Sequence, residues 1–284
     1  MKKYLLLWIL LIPVNLLSQE GTPFITHYEG SRNRDMQYWD ICQDMQDVMY
    51  FANRYGLLLY DGFRWDNIRL PNTPMTLARD RVTGKIFIGA LNNFGYLEKD
   101  SKGDINYVSI SNDTSSIGVV TGIQFERDII LFYGDESVSV YDREAEKVSK
   151  QWFAKDKLAF TGSLYVDNNI FINVETKGLH RIDSDTLFPI VSGYLTQNCE
   201  ILFTLPYSEN RILTGTSDNK ITIFDGIKYY DFPISNAQYL EENLLSGGVE
   251  VGENYYAFST LYGGAIVVEK NSGDVLHTIN YQNG

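Results

Sequence analysis

Residues 48–62 read VMYFANRYGLLLYDG, and this stretch shows the building unit of the whole chain. Two short apolar runs flank a polar turn at residues 53–56, and an acidic turn, Asp61 and Gly62, follows the second run. Short apolar runs bounded by Asn, Asp and Gly are typical of β-strands joined by tight turns. The stretch therefore predicts an antiparallel hairpin.

The same unit recurs along the chain: a polar turn, an apolar strand, a second turn, a second strand and a closing acid. The closing acids lie 37 to 44 residues apart, about 42 on average. This period is the length of a four-stranded β-propeller blade. A single blade cannot bury both of its faces, whereas a ring of blades covers each face with a neighbour. The closing acids are Asp61, Glu98, Asp142, Asp183, Asp225 and Glu269.

We therefore predict an all-β fold, a β-propeller of about six four-stranded blades within residues 19–284. The inner strand of blade two is expected near residues 75–78, and the only helix-like stretch spans residues 237–245, with Ser235 as its cap. An open β-sandwich fits the even spacing less well. Two ways of finishing the ring remain open. Residues 24–28 could supply a missing strand, or the domain is incomplete at its C-terminus and further blades follow.

The first 18 residues have the pattern of a signal peptide. Lys2 and Lys3 precede an apolar stretch at residues 4–17, and Ser18 offers a small residue before a polar sequence. The stretch is shorter than the roughly 20 apolar residues that a membrane span needs. An uncleaved anchor is the alternative. The interpretation predicts an exported, periplasmic protein with no membrane span after the signal peptide.

The composition excludes several classes of protein. Hydrophobic residues make up 44% of the 284 residues and aromatic residues 14%, which is enough apolar material for a core. Lys and Arg number 24 against 36 Asp and Glu, and the net charge of −12 would repel a phosphate backbone. We therefore expect no nucleic-acid binding. The three histidines are scattered and the two cysteines, Cys42 and Cys199, show no metal spacing, so no metal and no cofactor are predicted. Whether Cys42 and Cys199 form a disulfide stays open.

Known catalytic patterns are missing from the sequence. It contains no G-x-S-x-G elbow, Walker loop, H-E-x-x-H helix or EF-hand loop, so we predict no catalytic residue. Polar pairs at turns, such as Asp218 with Asn219, are expected to cap their own turns.

Bulky residues in turns suggest a ligand site instead. Tyr55, Phe94 and Tyr262 fall between the second and third strands of blades one, two and six. In a propeller those turns lie on the face where the blades connect and the central funnel opens. An anionic or polyhydroxyl small molecule, such as a carbohydrate, could pair with Arg54 and stack on a tyrosine. The alternative is that the turns need only the conformations of Asn and Gly. The predicted ligand-binding residues are Arg54, Tyr55, Asn92, Asn93, Phe94 and Tyr262.

Several of these segments resemble a known family. Residues 21–28, 38–44, 48–62, 85–90 with 94–96, and 259–268 are similar to the propeller sensor region of two-component-type regulators of bacteria. The resemblance covers residues 22–284 and implies a periplasmic sensing domain. In such regulators a triple-tyrosine β-sandwich, a membrane helix and a kinase or DNA-binding output follow the propeller. The resemblance therefore concerns the sensing half, and the output would lie outside these residues.

Two functions from different classes follow. The first is a non-catalytic extracytoplasmic sensor that binds a ligand. The alternative is a secreted propeller enzyme, a lyase or glycoside hydrolase acting on a carbohydrate, which requires carboxylates or histidines that converge at the funnel. A surface interaction module is a third, weaker hypothesis. An incomplete ring would also favour a homodimer, because its last blade would leave an apolar face uncovered.

Overall fold

A computed structural model describes residues 37–111, 116–155, 158–184 and 186–280. Their strands form six four-stranded antiparallel sheets arranged as the blades of a ring, which confirms the predicted β-propeller. In each sheet the four strands follow one another in chain order. The strands are β1 (Tyr38–Gln43), β2 (Met49–Asn53), β3 (Gly56–Tyr60) and β4 (Trp65–Ile68) in blade 1; β5 (Pro74–Arg79), β6 (Ile86–Ala90), β7 (Asn93–Lys99) and β8 (Ile105–Ser109) in blade 2; β9 (Val120–Phe125), β10 (Ile129–Gly134), β11 (Ser137–Asp142) and β12 (Lys147–Phe153) in blade 3; β13 (Phe160–Val166), β14 (Asn169–Val174), β15 (Gly178–Asp183) and β16 (Thr186–Pro189) in blade 4; β17 (Ile201–Ser208), β18 (Arg211–Thr216), β19 (Ile221–Phe224) and β20 (Tyr229–Asp231) in blade 5; and β21 (Leu245–Val251), β22 (Tyr255–Thr260), β23 (Gly264–Glu269) and β24 (Val275–Ile279) in blade 6.

The first strand of each blade lies innermost, because the first strands of successive blades touch one another, as β1 touches β5 and β17 touches β21. The predicted inner strand of blade 2 is confirmed as β5. Antiparallel order then fixes two faces of the ring. The upper face carries the turns between second and third strands and the connections between blades. The lower face carries the turns that join the first strand to the second and the third to the fourth.

Apolar clusters bind neighbouring blades together. Within the described residues, five of the interfaces between blades contain such a cluster, from blades 1 and 2 to blades 5 and 6. Between blades 2 and 3, Phe94 stacks on Phe132 with ring centroids 4.2 Å apart. Each large side chain buried in this way contributes about 1.5–3 kcal/mol. Because successive side chains of a strand point to opposite faces, one blade can contribute to two clusters, one on each face.

Most closing acids cap the lower-face turn that follows them. The Asp225 carboxylate accepts hydrogen bonds from the backbone N–H groups of Ile227 and Lys228, both at 2.8 Å. Asp61, Asp142 and Glu269 each do the same in their own blades. Blade 2 differs from the pattern, because Asp100 rather than Glu98 caps its turn.

One short helix, α1 (Ala237–Asn243), lies in the connection between blades 5 and 6. Its cap is Asn236, whose side-chain oxygen accepts a hydrogen bond from the Tyr239 N–H, so the prediction that Ser235 caps the helix is wrong. A single 3₁₀ turn (Gly193–Thr196) lies between blades 4 and 5. No helix among the described residues is both long and apolar enough to cross a membrane.

Some predictions fall on other parts of the chain. The signal peptide of residues 1–18, the strand predicted from residues 24–28 and the last four residues, 281–284, lie outside the described residues. The export prediction therefore remains a prediction.

Candidate functional site

Upper-face turns hold two tyrosines out into solvent. Tyr55 is 62% exposed in the turn between β2 and β3, and Tyr262 is 77% exposed in the turn between β22 and β23. The side chain of Arg54 is likewise on the surface. Blade 6 precedes blade 1 around the ring, so the two turns stand on neighbouring blades.

The backbone of the blade 1 turn is fixed by residues other than Arg54 and Tyr55. Asn53 is 1% exposed, and its side-chain oxygen accepts a hydrogen bond of 2.8 Å from the Tyr55 N–H. Gly56 follows with φ +125°, and a Cβ at this position would collide with the Ile68 carbonyl. The fold thus requires Asn53 and Gly56, while it leaves the side chains of Arg54 and Tyr55 free of a structural role.

The blade 6 turn repeats this arrangement. Thr260 accepts a hydrogen bond of 3.0 Å from the Gly263 N–H, and Gly264 has φ +83° beside the Ile279 carbonyl. Helix α1 supports the turn, because the Tyr239 hydroxyl donates a hydrogen bond to the Gly263 carbonyl. Tyr262 is therefore an exposed side chain on a turn with a well-defined backbone.

Asn92 and Asn93 are occupied by the fold. Asn92 adopts φ 54°, and its side-chain oxygen accepts hydrogen bonds from the N–H groups of Ile117 and Gly118 in the next blade connection. Asn93 is 7% exposed, and its oxygen accepts hydrogen bonds from Tyr107 and from two serines at 2.9 Å each. Both side chains fasten the outer part of blade 2 and its connection to blade 3.

Phe94 does not lie in a turn, and that part of the prediction is wrong. It is the second residue of β7 and only 1% exposed, because its ring packs against Phe132 of blade 3. The turn before β7 is short, so the chain is already in the strand at Phe94.

Exposed leucines that sequence reasoning missed stand beside the predicted residues: Leu91 is 43% exposed and Leu261 is 63% exposed. An apolar residue at the tip of a turn was the signal for both.

Buried charge concentrates at the lower face. Asp80 is 1% exposed and pairs with the Arg143 guanidinium of blade 3 at 2.7 Å. Burial alone would raise the pKa of Asp80, but hydrogen bonds from Arg143 and Thr83 outweigh it and hold the pKa below its ordinary value. The pair joins the lower-face turns of blades 2 and 3.

The adjacent residue Arg81 reaches a different blade. Its guanidinium pairs with Glu250 of β21 at 2.8 Å, and Glu250 also pairs with Lys270 at 2.6 Å. Arg81 is 73% exposed, so water screens this pair far more than the one beside it. The contact nevertheless shows that blade 6 lies close to blade 2 at the lower face.

Inner-strand carboxylates have a structural role as well. Asp40 of β1 accepts hydrogen bonds from the Leu77 N–H at 2.7 Å and the Thr76 hydroxyl at 3.0 Å, which joins blades 1 and 2. Burial raises the pKa of Asp40.

Among the residues that the structure describes, no three His, Cys, Asp or Glu side chains come together as a metal site. Both cysteines are free.

A cavity of about 270 Å³ opens between the lower-face turns of blades 1 and 2. Its wall includes Asp44, Met45 and Lys85. The ammonium of Lys85 already lies 3.4 Å from Glu98 and 4.1 Å from the centre of the Tyr96 ring. Lys85 is thus already paired with Glu98, and the Asp44 carboxylate accepts hydrogen bonds from the Tyr50 hydroxyl and from its own turn, so the exposed aromatic turns of the upper face form the stronger candidate site.

Comparison with known proteins identifies the fold. No protein-family model matches the sequence, and no curated protein matches it either. Several solved structures do match this chain in fold. Virginiamycin B lyase from Staphylococcus aureus aligns with a TM-score of 0.63 and 13% identity, over 88% of this chain and 87% of that one. The WD40 β-propeller domain of Doa1 aligns with a TM-score of 0.63 and 10% identity, over 86% of this chain and 82% of that one.

A third structure comes from a signalling protein. The extracellular domain of a hybrid two-component system from B. thetaiotaomicron aligns with a TM-score of 0.60 and 12% identity. The alignment covers 86% of this chain but 36% of the other, so the chain spans about a third of that domain. At these identities the three likenesses establish the propeller fold, and they include both the extracellular domain of a two-component system and a lyase.

Proposed function

We propose that this chain is an extracytoplasmic sensor propeller that binds a small ligand on its upper face without chemical conversion. The observation that carries the proposal is the pair of exposed turns on blades 1 and 6. Buried Asn53 and the glycines set their backbones, so folding does not explain the exposed side chains Arg54, Tyr55 and Tyr262. Large exposed aromatic side chains with an arginine beside them favour ligand recognition.

The chemistry of these side chains defines the ligand class. A guanidinium forms paired hydrogen bonds with a carboxylate, a phosphate or neighbouring hydroxyls. Tyrosine rings stack on the apolar face of a sugar or a peptide. The ligand that fits best is therefore an anionic or polyhydroxyl small molecule such as an acidic oligosaccharide. The likeness to an extracellular two-component domain supports a role in signalling outside the cytoplasm.

A binding screen with a matched control tests this proposal. The protein is screened against neutral and acidic oligosaccharides, and the hits are titrated by calorimetry. The double variant Arg54→Ala, Tyr262→Ala should lose tenfold or more in affinity, about 1.4 kcal/mol. The control is Phe63→Ala, Arg64→Ala, which removes an exposed aromatic residue and an exposed arginine from a lower-face turn. It should leave binding unchanged.

Equal affinity in the two double variants would remove this site and direct attention to the upper-face connection at residues 71–74. No binding to any member of the screen would contradict the proposed ligand class.

A secreted enzyme is the second candidate, and the likeness to virginiamycin B lyase over 87% of that chain favours it. It predicts that a bound oligosaccharide is cleaved. Incubation of each hit with the protein, followed by mass spectrometry, distinguishes the two functions. We expect the ligand to be recovered intact, and the appearance of an unsaturated or hydrolysed product would favour the enzyme.

A further inference from the structure

The cavity of about 270 Å³ between the lower-face turns of blades 1 and 2 has an apolar floor. Ile86 and Leu97 of blade 2 line it together with the ring of Tyr50 of blade 1, and all three side chains are buried. Ile105 of β8 also lines the cavity and packs against the same residues. The floor is therefore the lower end of the apolar cluster that joins blades 1 and 2.

Strand register places a lysine at the edge of this floor. Leu97 and Lys99 lie two residues apart in β7, so their side chains share the face of blade 2 that is turned towards blade 1. Across the sheet, Lys99 pairs with Ile105, which is part of the floor. The exposed side chain of Lys99 therefore stands on the cavity side of the blade.

The ion pair of Lys85 with Glu98 belongs to the other face of blade 2. Glu98 alternates with Leu97 and Lys99 along β7, and the Lys85 ammonium lies over the Tyr96 ring, which packs against the cluster shared with blade 3. By contrast, the ammonium of Lys99 forms no hydrogen bond or ion pair with any residue that the structure describes. Lys99 is thus the cation that this cavity can offer to a ligand.

Asp44 and Met45 form the blade 1 side of the cavity. The Asp44 carboxylate is 6% exposed and accepts hydrogen bonds from two N–H groups of its own turn and from the Tyr50 hydroxyl, so three donors already offset its charge. The Met45 side chain lies against Gly84 of blade 2, where a Cβ would come within 2.9 Å of its sulfur. A flexible thioether at this place can adapt to the shape of an apolar ligand.

We propose that this cavity is a second binding site, which takes a small aromatic carboxylate with its ring on the apolar floor and its carboxylate at Lys99. An apolar floor with one unpaired cation at its edge matches a ligand that is apolar at one end and anionic at the other. Pockets for drug-sized ligands begin at roughly 300 Å³, so a cavity of about 270 Å³ suits a ligand with a single ring. The site lies on the lower face, and it does not depend on the ligand proposed for the upper face.

Methyl NMR tests the proposal with three probes: phenylpropionate, its neutral amide and acetate. Phenylpropionate should shift the methyl resonances of Ile86, Leu97 and Ile105, with a dissociation constant of about 1 mM or below. The amide keeps the ring but loses the charge, and we expect it to bind about three- to fivefold more weakly, since an exposed ion pair contributes at most about this much. Acetate keeps the charge but lacks the ring, and it should leave the three methyl groups unshifted.

Matched lysine variants test the assignment of the cation. In Lys99→Gln the acid and the amide should bind equally, because the partner of the carboxylate is gone. The control is Lys102→Gln, which removes an exposed lysine from the turn that follows β7 and should keep the preference for the acid. Added salt should weaken the binding of the acid and leave that of the amide unchanged, because only the acid binds through its charge. The methyl spectrum of each variant also shows directly that it is folded.

Three results would overturn the proposal. The first is that the cavity methyl groups do not shift at about ten times the expected dissociation constant of phenylpropionate. The second is that the unaltered protein binds the acid and the amide equally, or that Lys99→Gln keeps the preference for the acid. The third is that the probe shifts the methyl groups of Leu91 or Leu261 instead, which would assign it to the upper face.

Discussion

Blade 1 has two faces that the same strands build in different ways. Towards blade 2, Leu57 is completely buried in an apolar cluster that also contains Leu77 and Ile88. Towards blade 6, Ile41 remains half exposed on a strand of the same sheet. The sheet, the register and the residue types are alike on both faces. Leu58 of β3 lies on the same face as Ile41 and is completely buried, so on that face the exposure is at the inner strand β1 and not at β3.

Core truncation should give the largest contrast between these faces. Leu57→Ala leaves a cavity in a packed cluster and should reduce the free energy of unfolding by about 2–5 kcal/mol. Ile41→Ala, on the opposite face, should change it by about 0.5 kcal/mol or less, because water already reaches the side chain. Urea unfolding of both variants measures the difference. Equal losses would mean that the face of blade 1 at Ile41 is packed as tightly as the interface between blades 1 and 2 is at Leu57.

Asp80 and Arg81 are neighbours in one turn, and their ion pairs with Arg143 and Glu250 offer a second contrast. Arg143→Met leaves Asp80 buried without its cation and should cost about 3 kcal/mol, since removal of one partner strands a buried charge. Arg81→Met removes the exposed partner of Glu250, which keeps Lys270, and should cost about 1 kcal/mol or less. Urea midpoints at low and high salt separate the two effects. A large loss for Arg81→Met would show that the contact between blades 2 and 6 carries much of the ring's stability.

Acid should weaken the lower-face turns of the blades. Hydrogen bonds from turn N–H groups hold the pKa values of Asp61, Asp100 and Glu269 below their ordinary range, and Asp80 is lowered by Arg143 and Thr83 despite its burial. A carboxyl group with a lowered folded-state pKa stabilises the fold above its unfolded value, about 4, and this stabilisation is lost as pH falls through the folded-state pKa.

The urea midpoint should therefore fall as the pH is lowered from 5 to 3. Asp40 and Glu126 act in the opposite direction, because burial raises their pKa values and the folded state then binds their protons more readily. They offset part of the loss. A midpoint that stays level or rises over this range would show that these buried groups dominate. Asp61→Asn, which removes one of the lowered groups, should make the decline shallower.

The sequence predicted the repeated parts of this molecule well. Six units with a period of about 42 residues became six blades, because alternation and Asn, Asp and Gly turns are local signals that each blade repeats. Boundaries were less certain where a turn is tight, as at Phe94, or where two polar residues compete for a cap, as at Ser235 and Asn236.

Contacts between blades could not be predicted in the same way. The Asp80–Arg143 pair joins residues 63 positions apart, and no local pattern distinguishes either of them from other surface charges. The exposed leucines of the upper face do have a local signal, because each is an apolar residue in a turn between the second and third strands of its blade. The ligand-binding role of the predicted site is still a prediction.

The smallest effect on stability should come from the candidate site itself. Tyr55→Ala and Tyr262→Ala should each change the free energy of unfolding by about 0.5 kcal/mol or less, because their turns are set by Asn53, Thr260 and the glycines. Phe94→Ala is the matched control from the same predicted set, and it should cost about 3–5 kcal/mol because it removes a ring stacked on Phe132. Thermal and urea unfolding of the three variants test both statements. A loss of 2 kcal/mol or more at either tyrosine would show that the side chain packs within the fold. Its exposure would then no longer support ligand binding, and the argument for the site would rest on Arg54 alone.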